Sequence, residues 1–227
     1  MPAKRLFISR TLDPSSPFHA FAKENDLVLD AQSLLEFTPV QFHQLPTADW
    51  LFFYSPNGVR FFFRQMMSLQ KKVNTPIATI GLGTLNALKE FGKSADFAGN
   101  GHPKQVAEAF ASLAQGQKVV FIRAQQSRKS IQNLIADQIT VLDLVVYANA
   151  IQTNISLPEA DYLVFTSPMN VQAYTQNNNL TSASAIIAIG KTTASALYQA
   201  GVQKVFVANQ PNEAALIEAL KGAIATQ

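Results

Sequence analysis

The chain has 227 residues, 48% hydrophobic and 15% charged, so it can fill one large core or two small ones and is not a disordered polymer. It contains no cysteine, which excludes disulfides, iron–sulfur clusters, thiolate zinc sites and cysteine nucleophiles together. Its net charge of +3 is an ordinary surface balance; it favours a polyanionic small molecule and is compatible with nucleic acid, but no basic run marks a DNA-binding arm.

Taken in order, Leu6-Phe7-Ile8 opens a strand that breaks at Ser9-Arg10, too early for a signal peptide. A strand and a helix fill residues 5–30. Residues 34–42 contain Pro39 and interrupt the alternation. The continuous apolar run 51–54 predicts a buried strand, and it is far too short to cross a bilayer. Ser55-Pro56 then reads as an N-cap with proline at the first helical position, opening a helix over 59–70. Strands over 76–80 and 95–98 alternate with helices over 84–91, closed by Gly92, and 103–114. A strand over 118–123 and a helix over 127–136 follow, and the β-rich stretch 142–152 is the second interruption.

The chain repeats itself. Ala48-Asp49-Trp50-Leu51-Phe52-Phe53-Tyr54-Ser55-Pro56 returns 112 residues later as Ala160-Asp161-Tyr162-Leu163-Val164-Phe165-Thr166-Ser167-Pro168. Ile80-Gly81-Leu82-Gly83-Thr84 returns 109 residues later as Ile189-Gly190-Lys191-Thr192-Thr193, and Lys4–Ile8 echoes Lys118–Ile122 at 114. Three matches in order at nearly one offset mean two copies of one α/β unit. Strand and helix in series imply parallel sheets covered on both faces. The interruptions imply that the middle of the chain forms one domain and its two ends the other: residues 1–36 plus 151–227, and residues 40–147, with 34–42 and 142–152 crossing as linkers.

In open parallel sheets, ligands sit beyond the carboxyl ends of the strands. The repeat places Ser55 and Ser167 after one strand, and Thr84 and Thr192-Thr193 after another, beside helix N-termini that can receive carboxylates or phosphates. The same residues also read simply as caps. Gly81-Leu82-Gly83 has Asn86 where a dinucleotide fingerprint needs its third glycine, which argues against a nicotinamide site. There is no phosphate-binding loop of the Walker type and no Gly-x-Ser-x-Gly elbow, and His19, His43 and His102 have no metal-ligand spacing.

Thr166-Ser167-Pro168, Ile189-Gly190 with Thr192-Thr193-Ala194 and Ala196-Leu197, and Pro211-Asn212-Glu213-Ala214-Ala215-Leu216 together resemble the C-terminal signature of the uroporphyrinogen-III synthase family. Ser9-Arg10, Ser55-Pro56-Asn57-Gly58-Val59 and Val145-Val146-Tyr147 extend the resemblance over essentially the whole chain. The resemblance implies an α/β fold: two Rossmann- or flavodoxin-like parallel-sheet domains joined by a two-stranded β-ladder linker, with the active site between them. It implies a cofactor-free and metal-free lyase that takes hydroxymethylbilane, removes water, inverts ring D and closes the macrocycle to uroporphyrinogen III in heme biosynthesis. Carried over by position, Tyr147 is the residue expected to meet the leaving hydroxyl, and Ser9, Arg10, Ser55, Thr84, Ser167, Thr192 and Thr193 are expected to bind the substrate's acetate and propionate groups. Arg123 ends a strand as Arg10 does, and either arginine also reads as a surface salt bridge. Tyr54, where threonine is common, and Ala124, where glycine is frequent, depart from the family pattern. The expected partner is a linear tetrapyrrole, handed over briefly by hydroxymethylbilane synthase to a cytoplasmic monomer that uses neither nucleic acid nor membrane. The rival readings are a non-catalytic module of the same fold binding a tetrapyrrole or small anion, a periplasmic-type binding protein, and a nucleotide-dependent enzyme.

Overall fold

Short apolar runs become buried parallel strands because both faces of each sheet are covered. The computed structural model describes residues 3–153, 155, 157, 159–180 and 185–226. In chain order these form β1 (Arg5–Ile8), α1 (Pro17–Glu24), β2 (Val28–Ala31), β3 (Leu35–Pro39), β4 (Trp50–Phe53), α2 (Pro56–Ser68), β5 (Ile77–Thr79), α3 (Leu82–Lys89), β6 (Phe97–Ala98) and α4 (Pro103–Ala114). There follow β7 (Lys118–Ala124), α5 (Gln132–Ile135), β8 (Thr140–Ile151), β9 (Tyr162–Phe165), α6 (Pro168–Asn177), β10 (Ala185–Ala188), α7 (Lys191–Gln199), β11 (Phe206–Val207) and α8 (Glu213–Ile224). The chain divides into two compact units, residues 1–36 with 150–227, and residues 37–149; positions 1 and 227 lie outside the described residues.

The first unit holds a five-stranded sheet ordered β11-β10-β9-β1-β2, parallel throughout. Leu6, Ile8, Tyr162, Val164 and Ile187 turn one face toward Phe18 and Phe21 of α1 and Leu216 and Leu220 of α8. The alternate residues Phe7 and Phe165 meet Tyr174 of α6 on the other face, with ring centroids 5.9 and 5.3 Å away. The second unit repeats this in its sheet, ordered β3-β8-β7-β4-β5-β6. Leu51, Phe53, Val120 and Ile122 pack on α2 and α3, while Phe52, Val119 and Phe121 pack on α4 and α5. With β7 standing for β1, β8 for β2, and β4, β5 and β6 for β9, β10 and β11, the two parallel sheets have one strand order. The repeat runs in one order along the chain, with β1, β4 and β5 matching β7, β9 and β10, so the two folded units, one continuous and one built from both ends, are circular permutations of each other.

The two interruptions pair with each other. Leu34 O accepts from Gln152 N–H and Val40 N–H donates to Val146 O, both at 3.0 Å, so β3 runs antiparallel to β8. The same β8 runs parallel to β7, so it belongs to the six-stranded sheet as well as to the ladder. The chain passes from one unit to the other within β3 and again within β8.

The helix expected over 127–136 shrinks to the four residues of α5. Lys129 sits at φ 54°, which no helix continues, and Arg123 holds the carbonyls of Ala124 and Gln125 at 3.0 and 3.4 Å. The residue pairing Arg123↔Val145 is followed by Ala124↔Tyr147, a bulge that leaves Val146 as the extra residue.

Candidate functional site

β4 and β9 each hand the chain to a helix through the same serine cap. Ser55 Oγ accepts from Gly58 N–H at 3.0 Å at the start of α2, and Ser167 Oγ accepts from Asn170 N–H at 3.1 Å at the start of α6. Pro56 and Pro168 follow at the first helical position. Ser16-Pro17 builds a third such cap on α1, which sequence reading passed over although the same dipeptide signals it.

The bulge in β8 brings Tyr147 to Ser55. Their hydroxyls lie 3.0 Å apart. The phenol ring stacks on Phe61 of α2, centroids 5.2 Å apart and planes 13° from parallel, and meets Phe37 of β3 at 6.1 Å. Only 6% of Tyr147 is exposed. Burial pushes its phenol above the ordinary range, and the hydrogen bond with Ser55 acts more weakly in the opposite sense. Tyr147 is therefore a protonated phenol through the physiological range, able to donate.

Thr84 and Thr193 occupy equivalent places, the third residue of α3 and of α7, behind Gly81 and Gly190. Both are buried, whereas Thr192 is exposed beside the exposed Lys191. No acidic residue lies in the first turns of α2, α3, α6 or α7, so their free N–H groups keep their positive character.

Ser9 is wholly buried. Its Oγ accepts from Thr166 N–H at 2.9 Å and lies 3.3 Å from Thr166 Oγ1, which donates to Ser9 O at 3.0 Å. Asn170 Nδ2 adds bonds to Thr166 Oγ1 at 3.3 Å and Ser167 Oγ at 2.9 Å. Ser9, Thr166, Ser167 and Asn170 thus form one network across the ends of β1 and β9. Arg10 is half-exposed and pairs with Glu213 at 3.8 Å, a carboxylate that also accepts from Ser16 Oγ at 2.7 Å.

A separate cluster gathers around Tyr54 and Arg123. Tyr54 Oη accepts from Ile131 and Gln132 N–H at 3.2 and 3.0 Å, and burial pushes the phenol up to about 12. Arg123 grips Asp143 with two bonds, at 2.7 and 3.0 Å, and Lys129 adds a third at 2.8 Å. Burial alone would raise the Asp143 carboxyl, but hydrogen bonds from Arg123, Lys129 and Gln132 outweigh it and hold the group at about 2. Tyr54 and Arg123 are thereby committed to the fold. Sequence reading singled out Ser55, Ser167 and Tyr147 but not Phe61 or Asn170, whose contribution depends on contacts rather than on a motif.

Among the described residues no group of three or more His, Asp or Glu side chains could hold a metal ion, and no helix is long and apolar enough to cross a membrane.

The chain is 26% identical over 228 residues to the uroporphyrinogen-III synthase of Chlorobaculum parvum, covering 88% of this chain and 91% of that one. Its structure is similar to that of uroporphyrinogen-III synthetase from Helicobacter pylori, with a TM-score of 0.70 at 20% identity over 98% of this chain and 100% of that one. A mutant uroporphyrinogen III synthase from Thermus thermophilus gives a TM-score of 0.63 at 19% identity over 99% and 100%. These likenesses support the two-unit α/β fold. Residues 30–218 match the family described as Uroporphyrinogen-III synthase HemD, most of the chain including the Ser55 and Ser167 caps and the Tyr147 bulge, and the chain therefore belongs to the uroporphyrinogen-III synthase family.

Proposed function

We propose that the chain performs the family's reaction on hydroxymethylbilane, acting as a lyase that removes water and closes the ring to uroporphyrinogen III with ring D inverted. The observation that carries the reading is the Ser55–Tyr147 pair, a buried phenol hydrogen-bonded to a capping serine at the carboxyl end of a parallel strand.

The chemistry asks little of the protein in reagents and much in placement. As the C–O bond of the hydroxymethyl group breaks, its electron pair leaves with oxygen, which takes a proton from Tyr147 Oη and departs as water. The cation left on the first ring's methylene bonds to the substituted α-carbon of ring D to give a spiro intermediate. The older bond from that carbon to the ring C methylene then breaks and re-forms at the free α-carbon of ring D, which inverts the ring, and the proton lost from that carbon returns to Tyr147 Oη. For the Tyr147 proton to point at the substrate, Ser55 must donate to Tyr147 Oη, and Ser55 Oγ still accepts from Gly58 N–H. A general acid placed in this way contributes roughly 10²–10⁴-fold. Ordering the bilane before closure supplies the selectivity over the unrearranged ring.

The substrate's carboxylates meet Ser167 and Thr192 with the N-terminal N–H groups of α6 and α7, and Arg10 and Lys191 add positive charge. Thr84 and Thr193, being buried, set the first turns of α3 and α7, and Ser9 positions Thr166. The reading carries with it a cytoplasmic monomer that receives its substrate in a brief transfer from hydroxymethylbilane synthase, since the bilane cyclises readily in free solution.

The test is to incubate the purified protein with fresh hydroxymethylbilane, oxidise the products and separate the porphyrin isomers. Type III in excess of the enzyme-free control is the expected result. Type I alone, with an active control synthase run alongside, overturns the proposal.

A further inference from the structure

The two units build the same serine cap and then differ three residues on. The residue that donates its N–H to the capping serine is Gly58 in one unit and Asn170 in the other. Gly58 shows that the cap needs no side chain at this place. Asn170 nevertheless buries an amide there, only 5% exposed, and leaves its Oδ1 without a partner among the described residues. An unpaired carbonyl in the interior is costly, so the amide answers to something other than helix capping.

Its amide nitrogen donates to the two hydroxyls beside it, Thr166 Oγ1 and Ser167 Oγ. Thr166 O–H donates to Ser9 O, and Ser9 O–H then turns to Thr166 Oγ1. Ser167 Oγ accepts from both Asn170 N–H and Asn170 Nδ2, at 3.1 and 2.9 Å, which occupies both of its lone pairs. The hydrogen of Ser167 has no acceptor among the described residues, and the residue is only half-buried. In the other unit the capping serine instead shares its proton with Tyr147. We propose that Asn170 is a positioning residue that holds Ser167 as an obligatory hydrogen-bond donor, so that this end of the first unit takes a carboxylate of the substrate and rejects a donor group. The inference rests on the synthase reading and on Ser167 as a binding residue.

The experiment measures kcat and KM for hydroxymethylbilane, scoring the type III isomer, in the wild type and in Ser167→Ala, Asn170→Asp and Asn170→Gly, with urea midpoints taken alongside. Asn170→Asp replaces the donor amide by a carboxylate that claims the Ser167 proton and repels the substrate's own. It raises KM by roughly tenfold or more, the loss of a charge-assisted bond, while kcat falls less than about twofold. Asn170→Gly, the residue of the other unit, keeps the cap and frees the Ser167 hydroxyl to rotate, and its KM rise lies between those of the wild type and Asn170→Asp. If Ser167→Ala raises KM and neither Asn170 variant does, the positioning role is wrong and the binding reading stands. If Ser167→Ala keeps the wild-type KM, both fall. If the Asn170 variants lower kcat and the urea midpoint with KM unchanged, Asn170 is structural only and the inference is overturned.

Discussion

At the scale of single residues, the site depends on one hydroxyl pair and its proton. Tyr147→Phe keeps the ring on Phe61 and removes only the O–H, so kcat falls about 10²-fold or more while type III remains the enzymatic product. Ser55→Ala removes a cap worth about 1 kcal/mol and leaves the buried phenol without its partner. The double variant should lose no more in kcat than Tyr147→Phe alone, because the serine acts through the phenol; additive losses, seen in the same isomer assay, would mean two independent contacts. Asp143 makes a different prediction. Its folded pKa, about 2, lies below the usual carboxylate range, so its contribution is complete above about pH 4 and disappears as pH falls toward 2. The urea midpoint of the wild type should fall through that window more steeply than that of Asp143→Asn. Parallel acid limbs would show that the triad with Arg123 and Lys129 adds nothing to stability.

At the scale of elements, most of the fold was legible because its signals are local. The helix over 103–114 matches α4 residue for residue, with proline at its first position and a buried stripe through Val106, Phe110 and Ala114. Gly92 and Gly201, at φ 64° and 90°, follow α3 and α7 at equivalent places of the repeat. The short strand β6 ends at a glycine of another kind. A Cβ on Gly99 would stand 2.5 Å from Val106 Cγ2 and 2.6 Å from Ile80 O. Gly99→Ala therefore forces β6 away from α4 and β5 and should cost about 1–3 kcal/mol, read as a lower urea midpoint at unchanged slope. What was not legible is α5. Its start depends on Tyr54 Oη receiving the N–H groups of Ile131 and Gln132, 77 and 78 residues along the chain, and no window of local sequence contains such a contact.

At the scale of the whole molecule, each unit has its own core, and residues 37–149 are continuous in sequence whereas the first unit needs both ends of the chain. A fragment of residues 37–149 should fold alone with a cooperative urea transition. The segment 150–227 should not, because β9 would lose its neighbour β1, and with it β2 and α1. A non-cooperative 37–149 fragment would show that the second unit depends on the first. The repeat offsets, the cap chemistry and the apolar tetrads determined the two-unit parallel α/β architecture before any coordinates, because strand burial and capping are properties of a few neighbouring residues. The position of Tyr147 was decided only in three dimensions. Along β8, Leu142, Leu144 and Val146 face α2 and α3, and strict alternation would send Tyr147 to the opposite face with Asp143. The bulge opposite Ala124 inserts one residue and turns the phenol back to Ser55 and Phe61. A bulge is a mismatch between two strands, so its site is set by the pairing of β8 with β7 and β3 and by no residue of β8 alone.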